Sequence, residues 1–264
     1  MVHEFYNIGV YWALALVFGI CCLVSFVGFA CSWRYIDRVD NKEIVNKMVW
    51  QTILFFSTLF ITFWIATNWN CIGALKLVQQ KEANKLEYVY LNLDELSVKE
   101  KFSVEDNLKG YINSVINVEY PLLSNDQVSN ETQVKFNQLN YNILHMNTNK
   151  FTVQDRLYYA KILDYLSELS DYRELRLSYL SGNLYGPLLY FFLGMILLGC
   201  FWTGFVNTKS IIFSLIIICS QNLIMASSTW IILEMDKPFT GYFSVNADAF
   251  VNALYSIDSI KDKE

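Results

Sequence analysis

Histidine and proline are nearly missing from this chain, with two of the first and three of the second among 264 residues. The histidines, His3 and His145, are far apart in sequence. Two histidines without a nearby cysteine or carboxylate cluster cannot build the common zinc sites, so no metal is expected. There is no glycine-rich phosphate loop and no Gly-x-Ser-x-Gly elbow. An enzyme is therefore not expected, and no cofactor is implied. Charge is missing from long stretches. Gly9–Phe29 and Pro187–Asn207 carry no acidic or basic residue at all. The six cysteines lie in or beside hydrophobic segments, with Cys71 at the end of one, which argues against a disulfide framework. The neighbours Cys21 and Cys22 read as small packing residues rather than as a redox pair. The first residues include Glu4 but no lysine or arginine, and the apolar run behind them is too long for a signal-peptide core. The first segment is expected to be a retained span.

What the chain has instead is four hydrophobic stretches, near Ile8–Trp33, Val49–Trp69, Pro187–Phe205 and Ile211–Leu233. A hydrocarbon core about 30 Å thick takes about 20 mostly apolar residues in a helix. The reading is an all-α membrane protein, with four transmembrane helices in two hairpins flanking a helical soluble domain. Residues 1–70 form the first hairpin, 71–186 the soluble domain and 187–235 the second hairpin. Residues 236–264 pack as a C-terminal segment at the membrane exit. Four spans put both termini and the soluble domain on one side. Lysine and arginine do not say which side: Arg34, Arg38, Lys42, Lys47 and Lys209 face Lys76, Lys81, Lys85, Arg173, Arg176 and Lys237 across the bilayer.

The block between the hairpins holds fifteen acidic and twelve basic residues, which is no nucleic-acid footprint. Its clearest element is Phe151–Tyr179. Thr152 and Asp155 make a capping start, and Tyr158, Ile162, Tyr165, Leu169, Tyr172, Arg176 and Tyr179 fall on one helical face. A second helix continues from the membrane through Leu75, Val78, Leu86 and Val89, its stripe interrupted by Glu82. A third runs from Ser103 to Tyr120 and is ended by Pro121. A fourth covers Glu131–Met146, after a polar loop at Leu123–Asn130. The second and third spans are expected to run on as long helices, with Gly182 and Gly186 framing a break on the return side.

Polar residues within spans must face protein or water. Ser214, Gln221 and Ser228 recur every seven residues in the last span, with Asn222 beside them; Gln51, Thr58 and Thr62 share a face of the second. Two readings stand: the wall of a wet pathway, or hydrogen bonds between helices. No span centre carries a full charge, which argues against an ion-coupled transporter but not against a passive pore on the axis of a homo-oligomer. Gly19, Gly28, Gly194, Gly199 and Gly204 would allow close helix contacts. Glu82 and Arg176 interrupt apolar faces and can pair just outside the membrane.

Three groups of residues carry a resemblance. The first joins Glu82-Ala83, Leu108-Lys109-Gly110-Tyr111 and Val118-Glu119-Tyr120-Pro121. The second is Arg173-Glu174-Leu175-Arg176-Leu177-Ser178, then Pro187-Leu188-Leu189. The third is Met235-Asp236-Lys237-Pro238-Phe239-Thr240-Gly241, with Val245 and Ala249-Phe250. Together they resemble the bestrophin-like domain family, four-pass membrane proteins. The match is most specific at Asp236-Lys237-Pro238-Phe239, where the family commonly has arginine in place of Lys237. Tyr120 stands where the family often has tryptophan. The resemblance implies similarity to bestrophins, pentameric chloride channels whose large domain is cytoplasmic. By that analogy the partners are the lipid bilayer, further copies of the chain (five, with four also open) and inorganic ions.

The signature also has a physical reading: Asp236 and Lys237 follow a span, Pro238 stops its helix, Phe239 anchors at the interface and Gly241 turns with positive φ. Alternatively, Asp236 with Glu234 forms an acidic vestibule that suits cations. The functional expectation is an oligomeric ion channel or pore. Its alternative is a non-conducting scaffold or sensor whose soluble domain binds a partner protein.

Overall fold

The computed structural model describes residues 10–35, 42–181, 186–205 and 211–261. Of the residues singled out in the sequence, His3, Glu4, Arg38, Lys209 and Gly182 lie outside that set. The described residues form helices and no strand. In chain order these are α1 Val10–Tyr35, α2 Lys42–Asp94, α3 Lys101–Ser114, the single turn α4 Tyr120–Leu123, α5 Asn130–Leu144, α6 Val153–Ser178, α7 Gly186–Thr203, α8 Ile211–Asp236 and α9 Asp248–Lys261. They divide into two compact units, Met1–Asn70 with Gly182–Lys237, and Cys71–Ser181 with Pro238–Glu264.

Among the described residues of the first unit, three stretches are long and apolar enough to cross a membrane: Tyr11–Ser32, Ile211–Asp236 and, within α2, part of Lys47–Asp94. Tyr190–Thr203 is apolar but shorter. The core joins Cys21 of α1, Ile61 and Trp64 of α2, Phe192, Ile196 and Cys200 of α7, and Met225, Ala226 and Ile232 of α8. Facing outward are Leu23 and Phe26 of α1 and Ile212 and Phe213 of α8, all well exposed. Such a surface suits hydrocarbon, not water. The five flagged glycines separate cleanly. A Cβ on Gly28 would strike the Phe201 carbonyl, and one on Gly204 would strike the backbone of Ser25 and Phe29. Here α1 meets the end of α7 backbone to backbone, which only a missing side chain permits. Gly199 would make ordinary contacts, and Gly19 and Gly194 face open space.

The second unit has its own core. Leu86, Val89 and Leu93 of α2 meet Leu108, Tyr111 and Ile112 of α3, Leu139 and Ile143 of α5, Ile162 and Leu169 of α6, and Phe250, Ala253 and Ile257 of α9. The apolar stripe read from the sequence on α2 is buried throughout, Leu75 and Val78 included. Helix α6 opens with the expected capping box. The Thr152 hydroxyl accepts from the Asp155 amide at 3.1 Å, and the Thr152 amide donates back to Asp155 at 2.8 Å. Asp155 also accepts from the Ser97 amide and hydroxyl at 2.9 and 2.6 Å. Those bonds to Ser97, then those to Thr152, hold its carboxyl well below the usual carboxylate range. A depressed folded-state pKa stabilises above the unfolded value and loses that contribution as pH falls through the folded one. Stability from Asp155 is therefore expected to be complete at neutral pH and to fade below about pH 4. Urea melts should show a shallower acid-side loss in Asp155→Asn than in the parent. Thr152→Ala should cost about 1 kcal/mol at neutral pH.

Two expectations need correction. Pro121 does not end the third helix. A π-helical stretch, Val115–Glu119, carries the chain into α4, and the Tyr120 amide donates five residues back to Val115. The wide turn displaces the carbonyls a proline ring would strike in a regular helix, so Pro121 sits in the first turn of α4. Nor is α7 continuous with the helix before it: α6 ends at Ser178, one 3-10 turn follows through Ser181, and α7 starts at Gly186. The second span, by contrast, does run on, as the 53 residues of α2.

Candidate functional site

Inside the second unit, four charges are gathered from three elements. Glu82 comes from α2, Glu119 from the π-helical stretch, and Arg173 and Arg176 from one face of α6. Glu82, Glu119 and Arg176 are 0% exposed and Arg173 is 4% exposed. Arg176 donates from Nε to Glu82 Oε2 at 2.6 Å and from Nη2 to Glu82 Oε1 at 3.1 Å. The same Nη2 reaches Glu119 Oε2 at 2.7 Å. Arg173 donates from Nη2 to Glu119 Oε1 and from Nη1 to Gln133 Oε1, each at 2.7 Å. The Tyr111 hydroxyl donates to Glu82 Oε1 at 3.2 Å.

Aromatic rings close the cluster. Tyr120 and Phe250 lie 5.5 and 5.3 Å from the Arg176 guanidinium, and Phe136 lies 5.1 Å from that of Arg173. Weakly hydrated guanidinium accepts such partners better than ammonium does. Burial opposes the charge on Arg176, but the carboxylates of Glu82 and Glu119 outweigh it and raise its pKa well above the ordinary value. Burial, then the Glu82 charge, raises the Tyr111 hydroxyl well above the usual phenol. Burial does the same at Tyr120, against the pull of Arg176. With two positive and two negative groups, no charge is left over for acid–base work. The arrangement ties α2, α6 and the π-helical stretch at one point. Among the described residues no three His, Cys, Asp or Glu side chains could hold a metal ion.

Sequence reasoning named Glu82 and Arg176 but gave no role to Glu119 and Arg173. Both stood in the quoted motifs. Arg173 is three residues before Arg176 and so shares its face. Glu119 offered no such spacing, because the π-helical stretch re-aims it.

The polar residues of the first unit go separate ways. Gln51, Thr58 and Thr62 are exposed on α2, and Thr62 donates to the Thr58 carbonyl at 2.8 Å. Ser214 of α8 is buried, while Gln221 and Ser228 are half-buried. Asn222 is fully buried, accepts from Ser25 of α1 at 2.9 Å and reaches Cys22 Sγ at 3.7 Å. The Cys200 carbonyl stands 2.6 Å from the same Ser25 hydroxyl, so its one proton is shared between the two acceptors.

In the signature, Asp236 ends α8 and, like Lys237, is half-buried. Gly241 takes φ 74°, and the Val245 amide closes the turn on the Pro238 carbonyl at 2.8 Å. Phe239 corrects an expectation. It is buried inside the second unit, edge-on to Tyr120 at 6.0 Å, rather than anchoring at an interface. The ring gains more from the aromatic cluster over Arg176 than from a wet surface.

An all-helical chain with these apolar helices is an integral membrane protein, and its architecture has solved counterparts. A tyrosine-to-alanine variant of a bacterial bestrophin homologue from Klebsiella pneumoniae superposes with TM-score 0.70 at 10% identity, over 93% of this chain and 99% of that one. A proline-to-alanine variant of a membrane protein gives 0.67 at 10% identity, covering 92% and 96%. A tryptophan-to-alanine variant of the Klebsiella homologue gives 0.55 at 11%, covering 95% and 98%. At such identities the likeness shows the fold. No curated protein matches in sequence. The Bestrophin-like domain family matches residues 12–250, and the chain belongs to that family.

Proposed function

We propose that the protein is a homo-oligomeric ion channel or pore, with α1–α2 and α7–α8 as two transmembrane hairpins flanking the helical soluble domain. The observation carrying this reading is the outer face of α2. Gln51, Thr58 and Thr62 lie exposed there, threaded among Phe55, Leu59 and Phe63. In hydrocarbon, amide and hydroxyl side chains are placed toward protein or water. One copy of the chain offers this face no protein wall, so the partners are further copies around a water-filled axis. The threonines can shed part of their cost onto their own helix, as Thr62 does. Such walls pass ions without holding them.

The 18 residues of α7 span about 27 Å, a few ångström short of a core about 30 Å thick, a mismatch that local thinning of the bilayer absorbs at the fourth crossing. Bestrophin analogy supplies the finer assignments: five copies, an anion as the permeant species, and a cytoplasmic soluble domain on the side of both termini. The buried charge cluster holds that domain together as an assembly and gating element.

Current across a planar bilayer holding purified protein in asymmetric salt tests the proposal. A reproducible conductance is expected, with a reversal potential that reports the sign of the ion. The variant Thr58→Leu with Thr62→Leu should lower unitary conductance or abolish it. A silent bilayer containing folded oligomer would favour the partner-binding scaffold.

A further inference from the structure

The inner face of α2 carries a second polar series. Ser57, Trp64 and Asn68 follow a spacing of seven and then four, so they lie on one side of the helix. Their exposures are 1, 7 and 1%. Yet Ser57 Oγ, Trp64 Nε1 and Asn68 Nδ2 find no hydrogen-bond partner among the described residues, and neither does Trp230 Nε1 of α8. Every one of these atoms can donate. A buried polar group left unpaired is costly, and in hydrocarbon no bulk solvent relieves it.

The surroundings leave room at one of them. Opposite Ser57 stands Gly199 of α7. A methyl added there would rest 3.6 Å from Ser57 Oγ and 3.8 Å from both Ile53 and Met225, in plain van der Waals contact. The glycine thus leaves no side chain between the Ser57 hydroxyl and α7. The series from Ser57 to Asn68 covers eleven residues, about 16 Å along the axis. That is roughly half the thickness of the hydrocarbon core.

We infer that bound water occupies this seam, held by Ser57, Trp64 and Asn68 on the inner face of α2. Two observations favour water over an anion. The core of this seam contains no charged side chain, so an ion there would be desolvated without a partner. Water's own protons, unlike an anion, need acceptors, and this helix has them. The Ser57 hydroxyl and the Asn68 amide oxygen can each accept a hydrogen bond. A buried water needs two to four polar partners, and such a face supplies them. The inference does not depend on α2 lining a pore. If α2 does line one, the helix is wet on both sides, and its displacement need not break a dry interface.

X-ray hydroxyl-radical footprinting of the full chain in 18O-labelled water tests it. Radicals form where water is bound, so Trp64 should acquire 18O although its side chain is buried. The variant Ser57→Val with Asn68→Leu, checked for parental thermal unfolding, should lose that labelling. Trp64→Phe should move the label away without altering oligomeric state. Absence of 18O at Trp64 in the parent protein would overturn the inference. So would equal labelling in the parent and the folded double variant.

Discussion

Arg176→Leu should destabilise the soluble domain by about 3–5 kcal/mol, because it strands the Glu82 carboxylate away from water and leaves Glu119 with Arg173 alone. A domain has about 5–15 kcal/mol in hand, so this variant is expected to be largely lost on purification or to melt far below the parent. Burial and geometry both enter this expectation. Arg176 is 0% exposed and bonds Glu82 and Glu119 together, so no solvent can replace it. Glu82→Leu alone should also be costly. It leaves Arg176 sharing Glu119 with Arg173. The double variant Glu82→Leu with Arg176→Leu removes one charge of each sign and keeps the Glu119–Arg173 pair at 2.7 Å. It should recover a large part of the loss, and a double-mutant cycle of urea melts would read the coupling. Additive losses would mean that the four charges do not act as a unit.

The second large effect is expected at the crossing of α1 and α7. Gly28→Val or Gly204→Val places a side chain where a neighbouring backbone already stands. Backbone cannot step aside as a flexible side chain can. Overpacking of this kind costs about 1–3 kcal/mol or more, and here it forces two spans apart. Thermal unfolding in detergent should fall sharply for either variant. Gly194→Val faces open space and should melt with the parent. Equal melting of all three would show that the close approach contributes nothing.

The legibility of this protein was uneven. The stripe Leu75, Val78, Leu86 and Val89, the start of α6 at Thr152 and the continuity of α2 were all readable, because each depends on neighbours within a few residues. The turn at Gly241 was readable for the same reason, since a positive φ asks for glycine. Glu119 was not. Its role depends on a π-helical stretch, and that departs from the periodicity on which a helical face is read. The position of Phe239 depended on Tyr120, more than a hundred residues earlier. Asn222, readable only as polar and near the middle of a span, is tied to Ser25 of another helix.

By itself the sequence determined that the chain is helical, that it belongs in a membrane, and that a polar helical block interrupts its apolar segments. Run length and periodicity are local properties, and local properties survive in one dimension. The tertiary structure decided which polar groups are satisfied and which are stranded. It placed Thr58 and Thr62 outward, Ser57 and Trp64 inward, and brought four distant charges within hydrogen-bond reach. Those outcomes depend on which helix packs against which face, and that is settled by contacts between residues remote in sequence.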